Sequence, residues 1–169
     1  MTSLPAFNVR SYPAFRMARV HRVYVDRDAL YLIRMRGAVG IADAGWQYNP
    51  QTALFGAILR WWARKSLDSG TRALDERGPR EMLEAHPHNA RFAPADIASS
   101  RLEPAGLMGH GVHLARWTLT PRGRKALSFQ IEDSESLRTA LAVLPGLLGP
   151  ALSVTVAWDS SRGGPVRVK

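Results

Sequence analysis

Residues 116–148 read RWTLTPRGRKALSFQIEDSESLRTALAVLPGLL, and the fold is decided there. In Trp117, Thr118, Leu119 and Thr120 apolar side chains alternate with hydroxyls, and Leu127, Phe129 and Ile131 alternate with Ser128 and Gln130. A period of two belongs to a strand with one face buried and the other wet. Pro121 to Lys125 separates the two runs, and its proline and glycine are turn formers, so the strands make a hairpin. Asp133 or Ser134 then caps a helix, with Glu135 in the first turn where the helix dipole favours an acid. Leu137, Leu141, Leu144 and Leu148 recur at steps of three and four, so one face of that helix must be covered, and the sheet is the expected cover. Pro145 lacks an amide hydrogen and its ring clashes with the carbonyl four residues back. The helix is therefore expected to kink or stop there, with Gly146 and Gly149 marking its end.

Upstream, Met17, Val20, Val23 and Val25 lead into the turn Asp26-Arg27-Asp28, after which Leu30, Tyr31, Leu32, Ile33 and Met35 are rich in β formers. This is a second hairpin. Residues 1–15 carry Pro5 and Pro13 without a clear period and are expected to form an arm that is ordered at best. Residues 37–49 are glycine-rich but lack the spacing of a phosphate-binding loop. Asn49-Pro50 then opens an amphipathic helix, with Leu54, Phe55, Ile58, Leu59, Trp61 and Trp62 on a broad apolar arc and Arg60 and Arg64 opposite. Ser66 to Gly78 is expected to break it, and a short helix over 79–85 follows, so residues 38–86 read as a helical insertion between strands. Residues 90–92 re-enter the sheet, 97–103 form a strand, 105–113 a loop, 152–158 a last strand and 159–169 a basic, loosely held tail.

At 169 residues with 46% hydrophobic and 22% charged side chains, the chain has room for one domain with a real core. No run of about 18 apolar residues marks a membrane span. The start lacks a charged stretch followed by an apolar block, so no secretory signal is expected and the cytoplasm is the expected compartment. The absence of cysteine excludes disulfides and thiol catalysis. Twenty-three Lys and Arg, nearly all arginine, against 14 Asp and Glu give a net charge of +9. That excess favours anionic partners, either nucleic-acid phosphate or acidic lipid, although a coding bias toward arginine produces the same composition without function.

The five histidines, His21, His86, His88, His110 and His113, form no converging ligand set in sequence, and no metal or cofactor is expected. Glu132-Asp133 at a helix start and Asp26 and Asp28 in a turn are explained by capping and turn chemistry, and no serine has a nucleophile-elbow context. The expectation is that the protein is not an enzyme. Trp61 and Trp62 followed by Arg64 and Lys65 suit a helix lying in a membrane interface, although amphipathic helices more often pack on their own domain or on a second copy. The candidate contact residues for a protein partner or a membrane are Phe55, Arg60, Trp61, Trp62, Arg64 and Lys65. Arg34, Arg36, Arg122, Arg124 and Lys125 lie at hairpin ends and are candidate anion contacts, through which nucleic-acid binding is the alternative function.

Three stretches, VYVDRDALYLIRMR at 23–36, FAPADIASSRLEP at 92–104 and ARWTLTPRGRKALSFQIED at 115–133, together resemble a bacterial pleckstrin-homology-like (GRAM-like) domain. The resemblance covers about a third of the chain. It implies an α+β fold in which a curved antiparallel sheet or partly open barrel, spanning 16–158, is capped by the C-terminal helix. It also implies non-catalytic binding of lipids, peptides or proteins. The insertion and the extra strand after the helix depart from that pattern, and no lipid-binding signature of the family falls on named residues here. The resulting expectation is a cytoplasmic binding or assembly module, peripheral at the inner membrane face if its partner is anionic lipid.

Overall fold

A computed structural model describes residues 4–12, 18–35, 70–105 and 113–168 of the chain. It is a mixed α+β fold built on a strongly curled half-barrel sheet with a helix near its C-terminus. The strands are β1 (Ala6–Ser11), β2 (Arg19–Val25), β3 (Leu30–Arg34), β4 (Ala90–Phe92), β5 (Ile97–Pro104), β6 (Ala115–Pro121), β7 (Leu127–Ile131), β8 (Leu152–Val154), β9 (Val156–Asp159) and β10 (Gly164–Arg167). The first eight form one sheet in the order β4-β3-β2-β1-β7-β6-β5-β8, and β9 and β10 pair separately. The helices are α1 (residues 70–77), α2 (Pro79–Leu83) and α3 (Ser134–Leu148).

The two hairpins form as their alternation requires. β6 pairs antiparallel with β7, Trp117 opposite Phe129, and β2 pairs antiparallel with β3, Val23 opposite Leu32. The inner face of the curl gathers Phe7, Val9, Val23, Leu32, Phe92, Leu102, Trp117, Phe129 and Ile131 into one core with Leu137, Ala140, Leu144 and Leu148 of α3. Each buried leucine of that stripe contributes about 1.5–3 kcal/mol of transfer free energy. Trp117 is fully buried, edge-on to Phe7 at 5.7 Å and stacked on Phe129 at 5.3 Å, and its indole N–H donates to the buried Ser100 hydroxyl at 2.9 Å.

Several expectations need correction. Residues 6–11 are not an arm: β1 lies mid-sheet and joins β2 to β7, with Phe7 and Val9 in the core. α3 does not stop at Pro145 but runs to Leu148. The proline is exposed, so the carbonyl its ring crowds can tilt outward to water. The helix ends at Gly149, whose φ of 49° and ψ of −127° only glycine adopts readily. Residues 70–77 are helical, ending at Gly78, because Leu74 is buried in a second cluster with Val20, Tyr24, Tyr31 and Ile33 on the outer face of the sheet.

The sheet is also not wholly antiparallel. β8 runs parallel to β5 at Ser100–Leu102, because α3 is a crossover that carries the chain from β7 back along the same direction. The last strand breaks at Thr155, and 159–167 is no loose tail but one side of the β9–β10 hairpin, whose turn is held by Asp159 accepting from Ser161 and Arg162. The amphipathic stretch 49–65 and most of the expected insertion lie outside the described residues. No helix among the described residues is long and apolar enough to cross a membrane.

Candidate functional site: the basic mouth of the half-barrel

α3 covers one end of the curl. Its Ser136 hydroxyl accepts from the Asn8 amide at 3.0 Å, and Val143, Gly146 and Leu147 lie beside Leu4, Pro5 and the β2–β3 turn. Among the described residues nothing covers the other end in this way, and a cavity of about 550 Å³ lies there. Its floor is core: Leu32 of β3, Ala90 and Phe92 of β4, and Leu127 and Phe129 of β7. Its rim is basic, with Arg19 from the start of β2, Arg124 and Lys125 from the β6–β7 turn, and His88 from the approach to β4. Ser11, Tyr12 and Ser128 are the other polar residues at its wall, and no carboxylate of the described residues lines it. Gly123, with φ of 68°, lets the hairpin turn tightly enough to hold Arg124 and Lys125 over the opening.

His21 stands between floor and rim. It is 6% exposed, its ring lies edge-on to Phe129 at 5.7 Å, and its Nδ1 has no hydrogen-bond partner among the described residues. Burial pushes its pKa down to about 4, and the charges of Arg34, Arg19 and His88 push the same way, against a smaller opposing effect from the Arg19 backbone. A neutral imidazole with an unused nitrogen therefore faces a cavity edged with cations. The strand period accounts for this placement. Arg19 and His21 share the parity of Val23 and Val25, so the alternation that buries the valines turns these two residues inward as well.

No family model, curated protein or solved structure matches the chain.

Of the expected anion contacts, Arg124 and Lys125 reach the mouth. Arg34 lies directly across the β2–β3 ladder from His21, on the same face, and depresses its pKa, while lining a smaller cavity of about 300 Å³ against α1 and α2. Arg122 is engaged elsewhere, its Nε donating to the Ala95 carbonyl at 2.8 Å and its amide to Asp96 at 2.7 Å. Arg36, and the contact set Phe55, Arg60, Trp61, Trp62, Arg64 and Lys65, lie outside the described residues, as does His110. The sequence pattern did not single out Arg19, and it gave His21 no role beyond its place among five histidines that form no converging ligand set.

A second polar cluster was also hidden in the sequence. Capping accounts for Asp133, which accepts from the Ser136 amide at 2.7 Å, but not for Glu132. The Glu132 carboxylate accepts from the Tyr12 hydroxyl at 2.8 Å, pairs with Arg10 at 3.1 Å and lies 3.3 Å from His113 Nδ1. Burial and the carboxylate push the Tyr12 phenol up to about 12. This is a tie between the end of β1, the entry to β6 and the exit from β7. Both oxygens of the Glu132 carboxylate are engaged in it, one by Tyr12 and one by Arg10. Among the described residues no group of three or more His, Asp or Glu is placed to hold a metal ion.

Proposed function

We propose that the chain is a non-catalytic binding module of pleckstrin-homology-like type, cytoplasmic and peripheral at an anionic membrane surface, which it meets through the open mouth of the half-barrel. The observation that carries this reading is the lining of that mouth among the described residues: Arg19, Arg124 and Lys125 with two histidines and no carboxylate. A cavity edged by one sign of charge attracts and holds the opposite sign, and basic groups near an anionic leaflet contribute about 1 kcal/mol each. The amphipathic stretch provides a second contact in this reading. Trp61 and Trp62, with Phe55, would sit at headgroup depth, and Arg60, Arg64 and Lys65 would face lipid phosphate. Nucleic-acid binding has less support. Tyr12 is the one large aromatic among the exposed hydrophobics of the described residues, and its hydroxyl is tied to Glu132, so no row of stacking platforms is found among the described residues.

Cosedimentation with phosphatidylserine-containing vesicles tests the reading. Binding should fall as salt rises, should be absent with neutral vesicles, and should weaken about thirtyfold when Arg124→Gln and Lys125→Gln are combined. Equal binding to neutral vesicles, or a double variant that binds as the parent does, refutes it.

A further inference from the structure

We infer that the mouth takes a single amphipathic anion, an alkyl phosphate, with its head on Arg19, Arg124 and Lys125 and its chain along Leu32, Phe92 and Phe129. This rests on the reading that the mouth is the binding site, and it says what enters. Contact with a charged surface needs only cations on the outside of the molecule. Here the cations edge a cavity of about 550 Å³, a size typical of small-molecule pockets, and below them the wall turns apolar. That sequence of environments, charge at the opening and hydrocarbon within, matches a molecule with a compact anionic head and an alkyl tail. Two guanidinium groups and an ammonium suit a phosphate, whose oxygens accept from arginine in pairs.

The position of His21 supports the same occupant. It lines the cavity, is more than nine-tenths buried, and has an Nδ1 without a partner among the described residues. A buried ring nitrogen left unbonded is unfavourable unless something enters to meet it. Being neutral, the ring has one nitrogen that donates and one that accepts; with its donor turned to the Arg19 backbone, the remaining nitrogen accepts, which fits the P–OH of a phosphate monoanion.

The test is calorimetric titration of the full chain with hexyl, octyl and decyl phosphate below their micelle concentrations, beside inorganic phosphate and anionic vesicles. The expected result is one-to-one binding that tightens about fourfold per methylene, with inorganic phosphate far weaker. Ala90→Phe, on the half-buried edge strand, should fill the space for the chain and flatten the series while binding of inorganic phosphate persists. The wild-type series decides alone if that variant does not fold. Affinity independent of chain length overturns the inference, and so does binding to vesicles without binding to monomeric alkyl phosphate; both leave the anion-binding reading standing. Failure to bind either alkyl phosphates or vesicles removes both.

Discussion

His21 shows how a single residue links the fold to its surroundings. With its pKa near 4 in the folded chain, against an ordinary 6.5, the unfolded chain takes up the proton first as the pH falls. The associated stability is complete above about pH 6.5 and is lost progressively toward pH 4. Between pH 7 and pH 5 the wild type should lose about 2 kcal/mol more than His21→Phe in urea denaturation. An anion at the mouth would offset the charges of Arg19 and Arg34 and reduce that loss. Ser100 is a second such point. Replacing it with alanine strands the buried Trp117 indole N–H, and the expected cost is about 1–3 kcal/mol by chemical denaturation.

At the scale of elements, α3 and α1 are held by different physics. α3 is fixed by an apolar stripe against the inner face, and Leu144→Ala should cost about 2–5 kcal/mol, read as a shift in the denaturation midpoint. α1 is held to the outer face by Leu74 and by one carboxylate. Asp75 receives Arg22 at 2.9 and 3.1 Å and the Tyr24 hydroxyl at 2.7 Å. Burial and this carboxylate raise the Tyr24 phenol above its ordinary range. Asp75→Ala should cost about 1–2 kcal/mol and bring that phenol's spectroscopic titration back toward its usual pH. The stripe of α3 was legible because four leucines repeat at helical spacing. The anchor of α1 was not, since Asp75 lies some fifty residues from Arg22 and Tyr24 in sequence and the packing of α1 on β2 that brings them together is a tertiary fact.

At the scale of the whole molecule, β1 joins the two halves of the sheet, β4-β3-β2 on one side and β7-β6-β5-β8 on the other. Deleting residues 1–11 should therefore abolish cooperative unfolding rather than trim an arm, as measured by near-ultraviolet circular dichroism on heating. The signal for β1 was present, Phe7 and Val9 against Asn8 and Arg10, but two turns of alternation between Pro5 and Pro13 are too few to outweigh the prolines. The same limit hid the mouth: Arg19 and His21 on β2 meet Arg124 and Lys125 on the β6–β7 turn only once β1 has brought the two halves together.

The sequence by itself determined the two hairpins, the capped leucine-striped helix and the excess of positive charge, because period, turn chemistry and composition act over a few neighbouring residues. Only the tertiary structure decided that the N-terminal strand is central, that one strand pairs in parallel, and that scattered cations share one cavity with a buried histidine. Those outcomes depend on which distant segments come to lie side by side, and local periodicity carries no information about that.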